Sequence, residues 1–187
     1  HMYRYIWERL MEEGHEIKIF SFDKDHAIEL LERYGFEYVK IGNTTGRSRL
    51  EKIWIVIRST TKILLHCLRF KPDIFIGRPL PMNSIVAWLL RKPDIVFSDT
   101  ERNTEALFFA TRFSSKILTP ITYRKDLGPK QERINTYKEL YYLHPTYFTP
   151  NPKVLDEFGV SEKEPFFVVR FVSWNAIHDL GHGGFSQ

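Results

Sequence analysis

Apolar residues in this chain switch repeatedly between a helical period and a strand period, and that alternation limits its fold more than any other feature. Tyr3 to Glu13 has helical spacing, with Ile6, Leu10 and either Tyr3 or Trp7 on one face, and Gly14 is placed to end it. Glu16 to Phe22 then reads as a strand, and His26 to Tyr34 as a second helix closed by Gly35. The series continues with a strand over Glu37 to Ile41, a glycine-bearing loop over Gly42 to Gly46 and a long helix over Arg49 to Phe70. Pro72 stops that helix ahead of a strand over Asp73 to Gly77. A helix over Ser84 to Leu90, a strand over Asp94 to Ser98, a helix over Thr104 to Phe113 and a strand over Lys116 to Leu118 follow. A last strand is expected over Phe166 to Val172. Strands and helices that alternate at this pace predict an α/β fold with a doubly wound, mostly parallel, Rossmann-like sheet.

Composition narrows the function classes. With 43% hydrophobic and 15% aromatic residues, the 187-residue chain can bury a sizeable core, which excludes a disordered protein. Lys and Arg outnumber Asp and Glu by 27 to 23, an excess that suits an anionic ligand or a membrane surface without demanding nucleic acid, so no nucleic-acid partner is expected. Cys67 is the single cysteine, so an internal disulfide is impossible; the residue reads as core filler in a reducing, cytoplasmic setting. The densest apolar run, Ile53 to Ile57, is far too short to span a membrane and is flanked by Lys52 and Arg58. Glu8, Glu12 and Glu13 break any signal-peptide pattern at the amino end.

In a doubly wound unit the first helix ordinarily follows a strand, yet only His1 and Met2 precede it here, as a cloning scar or the remnant of a loop. The expectation is a Rossmann-like domain over residues 1–165 without its first strand, then a last strand and the start of an interdomain crossover over residues 166–187. An unpaired edge or gap should mark the first strand's place, open to a neighbouring chain, so homo-oligomers are an expected possibility.

Polar residues gather where strands end at their carboxyl side, the end at which open α/β sheets bind ligands. After Phe166 to Val172 come Ser173, Trp174, Asn175, His178 and Asp179, with Arg170 inside the run. His178 and Asp179 are candidate catalytic residues, Asp179 orienting the imidazole, and Arg170, Ser173, Trp174 and Asn175 are candidate substrate contacts. A crossover turn held by the same hydrogen bonds is the competing reading. His178 and His182 stand four apart like a zinc pair, but Gly181, Gly183 and Gly184 oppose a continuous helix, so no metal site is expected. Asp99 and Glu101 follow the strand over Asp94 to Ser98 and are placed to act as a general base on a hydroxyl or to hydrogen-bond it. Thr104 and Glu105 beside them suit helix capping instead. Gly77, Arg78 and Asn83 lie between a strand and a helix, where backbone amides and a cation can meet a phosphate or sugar oxygen.

The long helix carries Arg49, Lys52, Arg58, Lys62 and Arg69 around Ile53, Trp54, Ile55, Val56 and Ile57, with Arg47 before it and Lys71 after it. Peripheral contact with anionic lipid is one reading; a buried helix with a solvated basic face is the simpler one, because the apolar run covers more than one side.

Three segments together carry a family resemblance: Glu32-Arg33-Tyr34-Gly35-Phe36-Glu37-Tyr38, Tyr137-Lys138-Glu139-Leu140-Tyr141-Tyr142-Leu143-His144-Pro145 and Arg170-Phe171-Val172-Ser173-Trp174-Asn175-Ala176-Ile177-His178-Asp179-Leu180-Gly181. They resemble the archaeal and bacterial domain-of-unknown-function family numbered three hundred and fifty-four, which in turn resembles GT-B-type glycosyltransferases and nucleotide-sugar 2-epimerases. The resemblance implies two Rossmann-like domains across a cleft, of which this chain matches the amino-terminal, acceptor-side one, the donor nucleotide being held by the other. The implied activity is glycosyl transfer from a nucleotide sugar to a sugar or lipid-linked acceptor, with Asp99, Glu101 or His178 as base or orienter and Arg170 as an anion contact. No cofactor is implied, and the isolated half is expected to be inactive. A nucleotide-sugar 2-epimerase and a non-catalytic carbohydrate- or nucleotide-binding module are the alternatives.

Overall fold

The computed structural model describes residues 2–24, 26–42, 49–102 and 104–169. Each early element stops where its residues require it. Helix α1 (Arg4–Glu12) ends just before Gly14, which adopts φ 88°, and α2 (Ala27–Arg33) ends before Gly35 at φ 72°, a left-handed backbone that costs glycine nothing. Helix α3 (Arg49–Phe70) spans the length its apolar spacing predicts. Two later helices, α3 and α4 (Pro81–Leu89), end on basic residues instead: Lys71 and Arg91 take φ 54° and 55°. Lys71 directly precedes Pro72-Asp73, and Arg91 stands two positions ahead of Pro93-Asp94; of the two aspartates only Asp94 begins a strand.

The strands form two parallel sheets. β1 (Ile19–Phe22) pairs with β2 (Tyr38–Gly42). β3 (Phe75–Gly77), β4 (Asp94–Phe97), β5 (Lys116–Pro120) and β6 (Gln131–Ile134) pair in that order, with α5 (Thr104–Phe113) between β4 and β5. Every ladder among the described residues is parallel, so the chain is a Rossmann-like α/β protein. β1 pairs only with β2, and β3 only with β4, so each keeps one open edge among the described residues.

Side-chain alternation shows the double winding. Ile19 and Tyr38 pack with Leu31, Phe36 and Trp7, on the side of α1 and α2. Phe20, Phe22 and Ile41 point the other way, into a core made with Ile63 and Cys67 of α3 and Val86 and Ala87 of α4. Phe75 of β3 joins that core, which therefore ties the two sheets together. Ile63 and Val86 are fully buried, each contributing about 1.5–3 kcal/mol over an exposed position. Cys67 is core filler as expected, and burial pushes its thiol up to about 11.

At the amino end of β4 the buried Asp94 accepts from the Ser114 hydroxyl at 2.7 Å, and Ser114 meets Ser84 of α4 at 3.0 Å. The Asp94 amide donates to Ser115 Oγ at 3.2 Å. One buried carboxylate thus ties β4 to α4 and to the end of α5.

Several expectations differ from the structure at element ends. β1 starts at Ile19 rather than Glu16, α4 starts at Pro81 rather than Ser84, and β5 runs on to Pro120. β6 has no counterpart among the expected strands, because Gln-Glu-Arg-Ile has no strand pattern of its own; it is a polar edge strand held by its ladder to β5. Helix α6 (Leu140–Leu143) is a single turn.

The chain divides into two compact units, His1–Leu143 and His144–Gln187. In the second, a 3-10 helix over Pro152–Phe158 is capped by Asn151, whose side chain accepts from the Lys153 amide at 3.2 Å. Phe166–Val169, the described part of the expected last strand, joins no ladder, and Phe167 is 92% exposed.

Candidate functional site

The carboxyl ends of β3 and β4 lie side by side because Gly77 is in register with Val96. The loops that leave the two strands therefore meet: Arg78, the first residue after β3, donates from Nη2 to Oδ1 of Asp99, the second residue after β4, at 3.2 Å. Lys138, just ahead of α6, closes on the other oxygen, Oδ2, at 2.5 Å. Thr100 Oγ1 adds a hydrogen bond to Oδ1 at 3.2 Å. The Asp99 side chain is only 13% exposed, whereas Arg78 and Lys138 are 53% and 38% exposed. A sunken carboxylate thus holds two cations that face solvent.

Burial is the largest influence on Asp99 and pushes its carboxyl up, but the Lys138 hydrogen bond and the charges of Arg78 and Lys138 outweigh it. The carboxyl titrates below its ordinary range and stays ionised. With both oxygens engaged, Asp99 is a weak proton acceptor and a strong organiser of cations.

Two tyrosines border this cluster. Tyr3, at the start of α1, is close enough to Arg78, Tyr141 and Asp99 to feel their charges, and its buried hydroxyl has no hydrogen-bond partner among the described residues. Burial chiefly pushes it far above its ordinary value, so it remains a proton donor. Tyr123, after β5, also has a buried hydroxyl without a partner there; burial raises it, and nearby Ser98 eases the shift without meeting hydrogen-bond geometry. Tyr141 of α6 lies against Phe97, the last residue of β4, with ring centroids 5.3 Å apart.

The other expected site residues fall in different places. Glu101 is a loop latch: its Oε1 accepts from the Arg124 amide at 2.7 Å, and its backbone carbonyl accepts from Lys125 Nζ at 2.8 Å. It joins the loops after β4 and β5. Asn83 faces Gly77, its Nδ2 lying 3.6 Å from where a Gly77 Cβ would stand, which is ordinary contact. The start of α4 offers little to a phosphate, because Pro81 lacks an N–H and the Asn83 and Ser84 amides already donate to the Leu80 carbonyl. Arg78 is the anion contact of that loop. Arg170, Ser173, Trp174, Asn175, His178 and Asp179 lie outside the described residues, as does most of the loop over Gly42 to Gly46.

Sequence reasoning brought Asp99, Arg78, Gly77 and Asn83 to one sheet end but missed Lys138, Tyr3, Tyr123 and Tyr141. Lys138 and Tyr141 lie in the segment over Tyr137 to Pro145, where no local pattern marks a site, and only packing brings them to the end of β4. Among the described residues, no group of three or more His, Cys, Asp or Glu side chains is arranged to hold a metal ion.

Fold and site together define a Rossmann-like α/β protein with a cationic, tyrosine-bordered cluster at its strand carboxyl ends. Compared with family models, curated proteins and solved structures, the chain matches none.

Proposed function

We propose that this chain is the acceptor-side half of a GT-B-like enzyme that works with a nucleotide-activated sugar. The observation that supports this reading is the pair of solvent-facing cations, Arg78 and Lys138, fixed on sunken Asp99 where parallel-sheet proteins bind ligands. In the proposal the two cations contact phosphate or another anionic group of a substrate, by geometry already set before binding. Asp99 positions the cations, and proton transfer from an acceptor hydroxyl falls to His178 with Asp179.

Titration of the complete protein with a panel of nucleotide sugars, followed by calorimetry, tests the reading. One nucleotide sugar is expected to bind, and Arg78→Ala and Lys138→Ala are each expected to weaken it about tenfold or more, the loss of one charge-assisted contact. Failure of every nucleotide sugar to bind, or unchanged affinity in the double variant, refutes it.

A further inference from the structure

Helix α3 has two apolar sides, and only one is covered. Ser59, Ile63 and Cys67 face the core. On the opposite side Leu50, Ile53, Trp54, Ile57, Leu65 and Leu68 are between 49% and 79% exposed. Their spacing of three and four residues, with one longer step across Thr61, places them on a single stripe along the helix. Thr61 fills that step, and its hydroxyl is satisfied within the helix by the Ile57 carbonyl at 3.0 Å, so no bare polar group interrupts the stripe. This corrects the simpler expectation for α3: the outward side is not a solvated basic face but an apolar one with a basic border.

That border settles what the stripe can rest on. Arg58, Lys62 and Arg69 are exposed and, at steps of four and seven, form a row along one flank of the stripe. None of them is paired with an acid among the described residues, and the Lys62 ammonium, which donates to the Lys40 carbonyl at 2.7 Å, keeps two of its protons for another partner. Over the whole helix five Lys and Arg stand against Glu51 alone, a net charge of +4. A second copy of the same face would bring like charge against like charge. An anionic surface with an apolar layer beneath it matches both parts of the face. No helix among the described residues is long and apolar enough to cross a membrane, so the helix would lie in the membrane plane.

We propose that α3 is an in-plane docking element for an anionic lipid bilayer, its stripe entering the boundary between headgroups and acyl chains while Arg58, Lys62 and Arg69 contact lipid phosphates. Trp54 sits mid-stripe in the first half of the helix, and its indole is the side chain suited to that boundary. The inference does not depend on the sugar chemistry proposed above.

The test is co-sedimentation of the full chain with vesicles of phosphatidylcholine alone and of phosphatidylcholine with about one third phosphatidylglycerol. Binding is expected only to the anionic vesicles and should weaken as salt rises. Arg58→Glu/Lys62→Glu/Arg69→Glu should reduce it by at least about two orders of magnitude, about fivefold for each cation lost with the repulsion of the new carboxylates added. Trp54→Glu/Ile57→Glu should abolish it while leaving the circular dichroism and melting temperature unchanged, because both residues are exposed. Lys153→Glu/Lys163→Glu, which removes exposed charge from the second unit, should bind as the unaltered protein does. The proposal is overturned if the anionic vesicles fail to bind at low salt, if the stripe variant binds normally, or if all charge removals weaken binding equally. It is also overturned if the chain is a dimer that Trp54→Glu/Ile57→Glu splits into monomers, since the stripe is then a self-association surface.

Discussion

Replacing Tyr3 by Phe should make the protein more stable, although it removes a polar group beside a charged cluster. The Tyr3 hydroxyl is buried and has no hydrogen-bond partner among the described residues, so folding strips it of water without compensation. A hydroxyl in that position costs about 1–3 kcal/mol, which Phe recovers. The ring itself is retained, and with it the stacking on Trp7 at 6.0 Å between centroids. For a chain of this size, each 1 kcal/mol moves the melting temperature by roughly 2–4 °C, so Tyr3→Phe should raise it by about 2–12 °C. Tyr38→Phe is the control: its hydroxyl donates to Glu32 at 2.7 Å on the surface, and its loss should change the melting temperature little and downward. Thermal and urea unfolding of the three proteins measure the difference. A Tyr3→Phe protein that melts lower than the parent would refute the reasoning, because the hydroxyl must then be satisfied in the folded state.

Buried Asp94 titrates above its ordinary range, chiefly through burial, which its bonds to Ser114 and Ser84 only partly offset. Its contribution to stability is therefore fully present at pH below the ordinary carboxylate value and lost as pH rises through the raised one; urea unfolding across pH should show that loss in the parent and not in Asp94→Asn. Asp99 has the opposite sign: its lowered carboxyl stabilises above the ordinary value and the contribution disappears as pH falls through the lowered one. Asp99→Asn should remove that acid-side loss at a cost of only about 1 kcal/mol at neutral pH, because both cations are partly exposed. Arg91→Gly should stabilise by about 1 kcal/mol, since a side chain there holds φ 55°; a lower urea midpoint would show that Arg91 makes a contact worth more than the strain. Cys67 should resist a thiol reagent until the chain unfolds, and rapid labelling under native conditions would contradict its burial.

The order and type of the main elements follow from local rules, which is why they are legible in the amino acids alone. Gly14, Gly35 and Pro72 punctuate helices that tertiary structure has no means of extending, and the period of three and four along Arg49 to Phe70 suits only a helix. From alternating strands and helices a parallel sheet follows, and with it the end of the sheet where Arg78 and Asp99 must emerge. Their pairing needed the register of Gly77 with Val96, which no local pattern states. Lys138 reaches Asp99 from 39 positions further along the chain, and Tyr3 approaches it from 96 positions before, so only packing decides that they share a site. β6 is likewise a product of its neighbour, a polar segment made into a strand by the backbone of β5. Helix α3 shows the same division most directly. Its residues determine that it is a helix with apolar groups on two sides, but which side is buried depends on where β1, β2 and α4 stand, and they cover only the side of Ile63 and Cys67.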